Sequence, residues 1–379
     1  MNHYDLIVIG GGSAGYAGAR TASDLGKSVA VIDGAGELGG LCILRGCMPS
    51  KTLIYSAEIL HMSRQAHRFG LHIPEAETDF KALQARKQEI IREFQEYREG
   101  QLEDERFKLY RKQARFSGEL EVTLDDGTTL SAEKVLVATG SKVASPPVPG
   151  LDKITTLSSD DILDLDQQLE SILVLGGGIV ACELAQFLLR TGTRTTLIQR
   201  SPHILKSWNP EISGTIEQTF RDEGMEVFTG TSNLQLMQME GRSTVTFEQD
   251  GQQITRDAAH VLNALGRKPA TEHLNLEDAG VNLLPSGHIA TSCHQQTSNP
   301  NIYAAGDCAG PHEIVHVAIL QGECAANHAF GKEAAPMDYD PLLLVLFTDP
   351  QAAVVGLQEP QLKERGIPFL KESYPFDDH

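Results

Sequence analysis

The chain has 379 residues, a formal net charge of −19 and a hydrophobic content of 41%, so it is long enough for two or three domains with separate cores. The acidic balance argues against a nucleic-acid partner, because binding a phosphate backbone requires a basic surface. Six cysteines are too few for a secreted disulfide scaffold. The N-terminal residues show no signal-peptide pattern, and the longest apolar run, residues 342–347, is too short to span a bilayer. We therefore expect a cytoplasmic protein with no membrane partner.

The first predicted element is a buried strand at residues 5–9, which leads directly into a glycine-rich turn. The turn has the pattern G-x-G-x-x-G from Gly10 onward, a helical pattern follows over residues 14–25, and the next strand ends at Asp33. In such a unit, the glycines allow a tight turn and the close approach of a pyrophosphate, and the acid accepts a hydrogen bond from a ribose hydroxyl. This segment therefore predicts a dinucleotide site.

Two cysteines, Cys42 and Cys47, follow the first unit in the stretch GGLCILRGCMPSK. Pro49 is typical of a first helical turn, so a helix that begins near Met48 would place Cys47 at its positive end, where a thiolate is stabilised. Lys51 lies one turn further along and adds positive charge. Two unreactive loop cysteines are the ordinary alternative. The remainder of the chain favours a redox pair, with one sulfur that reacts and one that exchanges.

The region after the cysteines predicts two helices and a small sheet. Residues 50–68 and 80–103 have helical patterns, and the second is so highly charged that we interpret it as a solvated outer helix. Residues 108–131 indicate a small antiparallel sheet, and residues 134–141 a strand that ends in a tight turn. The proline-rich run at residues 145–150 cannot hold regular structure, so we expect a linker and a domain boundary there.

A second strand–turn–helix unit follows the linker. The strand at residues 171–175 leads into G-x-G-x-x-A from Gly176, and the next strand, at residues 194–198, is followed by Gln199 and Arg200 instead of an acid. A positive side chain at this point favours the 2′-phosphate of NADPH, whereas an acid favours NADH. We therefore expect NADPH, with NADH as the alternative if Arg200 only faces solvent.

The last third of the chain predicts a β-meander at residues 226–257, a segment at residues 261–267 that closes this domain, and a strand at residues 299–307 that ends in Asp307. Asp307 could accept a hydrogen bond from a sugar hydroxyl, or it could cap a helix that begins near His312. The histidines show no metal-binding spacing, so no metal site is expected. The other cysteines are interpreted as small buried residues: Cys182, Cys293, Cys308 and Cys324.

In this order, the motifs resemble those of the FAD-dependent pyridine nucleotide–disulfide oxidoreductases, the family of dihydrolipoamide dehydrogenase, glutathione reductase and mercuric reductase. The matching stretches are GGLCILRGCMPSK, ATGS at 138–141, GGGIVACELA at 176–185, GRKP at 266–269 and YAAGDC at 303–308. The resemblance implies an α/β fold with two Rossmann-like dinucleotide-binding domains, the second inserted into the first, and an incomplete α+β dimerisation domain. The implied segments are 1–149 and 276–335 for FAD, 150–275 for NAD(P) and 336–379 for dimerisation.

The family also implies a role for each site residue. Cys47 would face the flavin, Cys42 would exchange with substrate, and Lys51 would lie beside the reactive flavin nitrogen, paired with Glu183. The residues implied at the FAD site are Gly10, Gly12, Ser13, Ala14, Gly15, Asp33, Gly40, Cys42, Lys51, Ala114, Thr139, Gly140, Gly306, Asp307, Val317 and Ala318. Those implied at the NADP site are Gly176, Gly178, Ile179, Val180, Ala181, Glu183, Gln199, Arg200 and Gly266.

The substrate is a separate question. TSNPNIYAAGDC and FTDPQ are most similar to mercuric reductase, but Leu41, Leu44 and Arg45 depart from the family's usual GGTCxNxGC. The sequence stops at His379, before the His-Pro…Glu segment that supplies the family's general base across a homodimer. We expect NAD(P)H-dependent reduction of a small disulfide, as in dihydrolipoamide dehydrogenase. The alternatives are a metal-ion reductase, a diaphorase or oxidase, and a non-catalytic flavoprotein fragment.

Overall fold

The computed structural model describes residues 2–239 and 241–375, so the last four residues of the predicted dimerisation segment lie outside the described residues. The α-helices α1 to α9, in chain order, are Ser13–Asp24, Gly40–Arg45, Cys47–Arg64, Phe80–Leu102, Ser159–Leu163, Ile179–Arg190, Pro210–Asp222, Val315–Ala329 and Glu359–Glu364. The strands β1 to β9 are Asn2–Ile9, Val29–Ile32, Phe107–Tyr110, Ala114–Gly118, Glu121–Leu124, Thr129–Val137, Ser141–Val143, Ser171–Leu175 and Arg194–Ile198. The strands β10 to β18 are Glu226–Phe228, Ser232–Met239, Arg242–Gln249, Gln252–Ala258, His260–Asn263, Arg267–Pro269, Ile302–Ala304, Leu343–Leu346 and Ala352–Val355.

The first sheet has the strand order β3-β2-β1-β6-β5-β4, and β16 pairs with β6. β1, β2, β3, β6 and β16 pair in parallel, whereas β4, β5 and the start of β6 form an antiparallel meander. The predicted antiparallel sheet over residues 108–131 is therefore wrong for residues 107–110, which pair in parallel with β2. The hydrophobic pattern of a strand does not reveal the direction of its neighbour.

Alternate residues of β1 pack into two different cores. Leu6 and Val8 face α1 and α8, whereas Ile7 and Ile9 face the antiparallel meander and the segment 274–289. A strand covered on both faces is continuously apolar, as in parallel sheets. β1 is therefore packed on both faces, and its carboxyl end leads into the first glycine-rich turn.

The second sheet is parallel and has the order β10-β9-β8-β14. Its strand β10 pairs in parallel with β9, so the predicted meander over residues 226–257 is correct only for β11 to β13. The chain leaves the first sheet after β6, forms the second sheet and returns to the first through β16. The α/β fold class is confirmed, while the residue numbers of the domain boundaries stay a prediction.

Three further expectations are corrected. α8 begins at Val315 and not near His312, because Ile314 still has an extended backbone. Cys293 is exposed, although Cys182, Cys308 and Cys324 are buried as expected. The charged helix α4 has a mostly solvated surface but also buries Lys87, whose Nζ donates to Asp164 at 2.6 Å.

The hairpin formed by β17 and β18 docks on the second unit through the turn that joins its strands. Gln186 of α6 exchanges two hydrogen bonds of 2.8 Å with the backbone of Asp349. Arg190, one turn further along α6, donates to the Asp349 carboxylate at 2.8 Å. Within the described ranges, no helix is long and apolar enough to cross a membrane.

Candidate active site

The first glycine-rich turn forms a close-packed cradle. A Cβ on Gly15 would overlap the carbonyl oxygen of Gly10, and a Cβ on Gly40 would lie 2.6 Å from Cα of Gly12. No side chain caps the N-terminus of α1. Backbone N–H groups at an uncapped helix N-terminus suit an anion such as a pyrophosphate. The glycines therefore fit the dinucleotide that the sequence predicts here.

Two adjoining cavities extend from this cradle, with volumes of about 390 and 280 Å³, and both are lined by Gly12 and Gly140. The larger contains Asp33, whose carboxylate accepts hydrogen bonds from the N–H groups of Gly11 and Ala35 at 2.8 and 3.0 Å. The smaller contains both cysteines of the pair. Because the two cavities share lining residues, together they suit the two halves of a dinucleotide such as FAD.

Most of the residues predicted for FAD line these two cavities, namely Gly10, Gly12, Ser13, Ala14, Asp33, Gly40, Cys42, Lys51, Ala114, Thr139, Gly140, Gly306, Asp307 and Ala318. Gly15 and Val317 do not: Gly15 packs against the Gly10 carbonyl, and Val317 is buried within α8. Contact with FAD itself stays a prediction for each of these residues.

Asp307 is held by residues from two distant segments. Ser141 Oγ donates to Asp307 Oδ2 at 2.6 Å and accepts from Arg267 Nε at 2.8 Å. Asp307 does not cap α8, since the residue at that position is Ile314. Burial, with a smaller contribution from Asp307, raises the pKa of Glu313, which lines the same cavity. The candidate residues predicted from the sequence do not include Ser141, Arg267 or Glu313, because no local motif gives their side-chain contacts.

The cysteine pair lies where two helices meet. Cys42 belongs to the short helix α2, Cys47 is the first residue of α3, and both are free thiols. The hydrogen bond from the Cys42 thiol, opposed by burial and assisted by Lys51, lowers the pKa of Cys47 to about 6. The same hydrogen bond and burial raise the pKa of Cys42. The reduced pair therefore carries its negative charge on Cys47 at neutral pH.

Lys51, Glu183 and Phe347 form a compact group beside Cys47. Lys51 Nζ donates to Glu183 Oε2 at 2.6 Å, so the ion pair implied by the resemblance is present. The other carboxylate oxygen accepts from the Phe347 N–H at 3.0 Å, and Lys51 Nζ lies 4.9 Å from the centre of the Phe347 ring. The Glu183 side chain is 3% exposed. Both of its oxygens are thus satisfied, as a buried carboxylate requires.

The second glycine-rich turn faces the same cavity. A Cβ on Gly176 would overlap the Ala264 carbonyl, and Gly178 caps α6 without a side-chain hydrogen bond. Ile179, Val180 and Glu183 line the cavity that contains the cysteines. Ala181 is buried. Residues of both glycine-rich units therefore line the cavity that contains the two cysteines.

The other residues predicted for the NADP site, Gln199, Arg200 and Gly266, are partly or fully exposed. Gln199 Oε1 accepts from the Arg200 N–H at 3.2 Å, and the Arg200 side chain is exposed, with no ion pair to the described residues. Gly266 has a φ of +117° and accepts from the Ala144 N–H at 2.9 Å. Within residues 2–239 and 241–375, no cluster of three acidic, histidine or cysteine side chains could hold a metal ion.

Two uncapped helix N-termini, a dithiol with one low-pKa sulfur and an adjacent Lys–Glu pair define a redox enzyme that uses two dinucleotides. The chain belongs to the pyridine nucleotide-disulphide oxidoreductase family, whose model matches residues 4–322. The enzymes of this family depend on FAD and NAD(P)H and act on sulfur groups, so the chain is identified as an FAD-dependent oxidoreductase of this type.

The chain is similar to enzymes of two names, mercuric reductase and dihydrolipoyl dehydrogenase. It is 35% identical to a mercuric reductase of Staphylococcus aureus over 99% of this chain and 68% of that protein. It is 38% identical to a mercuric reductase of Streptomyces lividans, with coverage of 96% and 78%. It is 33% identical to a dihydrolipoyl dehydrogenase of Chlamydia muridarum, with coverage of 98% and 80%. It spans only 59% of a Bacillus cereus mercuric reductase.

Proposed function

We propose that the protein is an NADPH-dependent disulfide reductase, in which the Cys42–Cys47 disulfide is reduced internally and its dithiol then reduces a small disulfide substrate. The observation that carries this proposal is the unequal pair of thiols, with the pKa of Cys47 lowered and that of Cys42 raised, beside the Lys51–Glu183 ion pair. Bound FAD would supply the two-electron connection between the nicotinamide and the disulfide.

The two cysteines have different roles in the proposed reaction. Two-electron reduction of their disulfide, with uptake of one proton, breaks the S–S bond and gives a thiolate on Cys47, whose pKa is lowered, and a thiol on Cys42, whose pKa is raised. Cys42 must lose that proton before it attacks a substrate disulfide, so this half of the reaction needs a general base. Lys51 stabilises negative charge at the centre of the site, and Glu183 restrains the position of its ammonium group.

We also propose NADPH as the reductant. Arg200 is exposed at the point where a ribose 2′-phosphate would approach in a unit of this type, and Gln199 adds no opposing charge. Family membership is equally compatible with NADH, so this part of the proposal depends on Arg200. A cation that makes a charge-assisted contact with the phosphate is the physical basis for the preference.

A second candidate is the reduction of a metal ion, and a specific observation favours it. Relatives at 34–38% identity are named mercuric reductases, and a pair of cysteine thiolates suits a soft cation. Mercuric ion would be a substrate of the dithiol and not a resident cofactor. Turnover with a thiol-bound mercuric salt, but with no disulfide, would select this alternative.

The remaining proposals concern the domain boundaries and the oligomeric state. The return of β16 to the first sheet supports a second unit, near residues 150–275, inserted between the two parts of the first, residues 1–149 and 276–335. The β17–β18 hairpin would begin a dimerisation segment from residue 336 onward. We further propose a homodimer, to be measured by light scattering of the FAD-loaded protein.

The experiment that tests the main proposal is an anaerobic NADPH titration combined with thiol counting. We expect a yellow protein with one bound FAD per chain, in which NADPH creates two new thiols, mapped to Cys42 and Cys47. Cys47→Ser should abolish disulfide turnover but retain reduction of an artificial dye, and Cys293→Ser, which removes an exposed thiol outside the site, should change neither. Full disulfide turnover by Cys47→Ser would leave a diaphorase or oxidase as the better assignment, and no NADPH consumption with any acceptor would indicate a non-catalytic flavoprotein.

A further inference from the structure

Arg98, on α4, is a partly buried cation that the mechanism above does not use. Its guanidinium carbon lies 4.1 Å from the ring centre of Tyr16 on α1. Its Nε and Nη1 atoms are buried and have no hydrogen-bond partner among the described residues. Burial lowers the pKa of Arg98, because desolvation opposes the charged form. Arg98 therefore has donors that the described part of the chain leaves unmatched.

Two cations that are more deeply buried have acidic partners. The guanidinium of Arg190 pairs with Glu223 and Asp349, and the ammonium of Lys87 pairs with Asp164. A desolvated donor without a hydrogen-bond partner costs free energy, and two nitrogens of the Arg98 guanidinium are in this state among the described residues. The absence of a carboxylate beside Arg98 in the described residues thus points to an anion supplied from outside them.

The position of Arg98 indicates which anion this is. α4 contacts both α2, which carries Cys42, and α3, which carries Cys47. Arg98 is close enough to Cys42 and Tyr16 for their charges to interact with it. It does not line the cavity that contains the two cysteines. The cation therefore lies near the exchanging sulfur but outside the space assigned to the cofactors.

We propose that Arg98, stacked on Tyr16, is a specificity residue that binds an anionic group, such as a carboxylate, of the disulfide that exchanges with Cys42. A planar guanidinium held against an aromatic ring is suited to this role, because stacking orients it while its remaining N–H groups donate to an anion. This inference rests on the proposed function for the identity of the ligand, which would be an anionic disulfide and not a neutral one.

The test uses thiol–disulfide exchange and does not require NADPH turnover. In a Cys47→Ser, Cys293→Ser background, the Cys42 thiolate attacks one sulfur of a probe disulfide, forms a mixed disulfide and releases the other half as a thiolate. The anionic probe is dithiobis(nitrobenzoate), and the neutral probe is dithiodipyridine. The ratio of the two rates, measured by absorbance and with mass mapping to Cys42, isolates recognition of the charge.

We expect Arg98→Met to lower the anionic-to-neutral rate ratio by about tenfold, the value of one charge-assisted hydrogen bond. Arg92→Met is the matched control, because Arg92 lies on the same helix, is 66% exposed and carries the same charge. Arg98→Lys keeps the charge but not the planar stack, so its rate ratio should lie between those of Arg98→Met and Arg92→Met. This variant keeps the proposal testable if Arg98→Met fails to fold. Circular dichroism of each variant checks the fold.

The outcomes separate this inference from the proposed function. An equal rate ratio in Arg98→Met and Arg92→Met would overturn the assignment of Arg98 as a site for the anionic disulfide. The same result is expected if the partner of Arg98 is a carboxylate of another protein chain. A tenfold change in the ratio, in a protein that shows no disulfide turnover with NADPH, would retain the anion site and reject the disulfide-reductase proposal. High salt should reduce the ratio of the parent protein toward that of Arg98→Met.

Discussion

Ser141 donates a hydrogen bond of 2.6 Å to Asp307, although the two residues are 166 positions apart. They meet because β6 and β16 are parallel neighbours, so the segments after their carboxyl ends emerge at the same edge of the first sheet. Arg267, which follows the second sheet, donates to the same hydroxyl at 2.8 Å. The orientation of the Asp307 carboxylate therefore depends on the arrangement of both sheets.

Ser141→Ala should weaken FAD binding by about five- to tenfold, because the loss of one hydrogen bond leaves the Asp307 carboxylate less well oriented. Fluorescence titration of the apoprotein with FAD measures the effect. Ser63→Ala is the control, since that hydroxyl only donates to the Ile59 carbonyl within α3. Equal affinities in both variants would show that Ser141 does not orient Asp307 for the cofactor.

The alkylation rate of Cys47 in the reduced protein should be half-maximal near pH 6, the value to which its pKa is lowered. The thiolate is present above this pKa, so the rate is lost as the pH falls through 6. Cys42→Ala removes the hydrogen bond that contributes most to the lowering, and the midpoint should rise toward the ordinary cysteine value of about 8.5. Iodoacetamide labelling with mass mapping gives the profile, and a midpoint unchanged by Cys42→Ala would contradict this account.

Phe347→Leu should raise the same midpoint by about half a pH unit. The ring lies 4.9 Å from Lys51 Nζ, and its removal frees the ammonium group to move away from Cys47, whereas the backbone N–H to Glu183 is retained. Phe347→Tyr keeps an aromatic face and should behave as the parent protein does. A midpoint that moves equally in both variants would assign the effect to altered packing and not to the cation–π contact.

Arg190→Met should lower the free energy of unfolding by about 3 kcal/mol, because it leaves the Glu223 carboxylate, whose side chain is only 12% exposed, without its cation. Arg190 is 5% exposed and contacts Glu223 at 2.5 and 2.9 Å. Urea denaturation followed by circular dichroism measures the loss. Arg194→Met, at a side chain that is 66% exposed, is expected to change stability by less than about 1 kcal/mol. Similar losses in the two variants would refute a special role for the buried pair.

Arg200→Ala should reduce the preference for NADPH over NADH by about tenfold, the contribution of one charge-assisted phosphate contact. Stopped-flow reduction of the bound flavin with each nucleotide measures the preference. Lys206→Ala, an exposed cation in the segment that follows, is the control and should leave the preference unchanged. An NADH preference that survives Arg200→Ala would show that Arg200 does not recognise the phosphate.

Several elements were predictable because their signals are local. The predicted strand at residues 171–175 agrees with β8, and Cys47 lies at a helix N-terminus as Pro49 indicates. In each case a buried apolar run, a glycine-rich turn or a proline specifies the backbone within a few residues. The resemblance to a known family added the pairing of Lys51 with Glu183, which no spacing within the chain could have indicated.

Strand direction was not predictable by the same means. Residues 107–110 and 226–228 have ordinary strand patterns, but each pairs in parallel with the edge of a larger sheet. The predicted start of α8 was three residues early, because an extended Ile314 precedes the helix. The identity of the neighbouring strand and the point at which a helix begins both depend on contacts with distant parts of the chain.

The sequence by itself determined the two glycine-rich units, the redox pair and the class of chemistry, since each depends on residue types at short, fixed spacings. Only the tertiary structure decided that Ser141 would orient Asp307, that Phe347 would lie against Lys51 and that Arg98 would be left without an acidic partner among the described residues. These contacts join segments between about 80 and 300 residues apart, and their geometry follows from sheet order and helix packing, which no local pattern encodes.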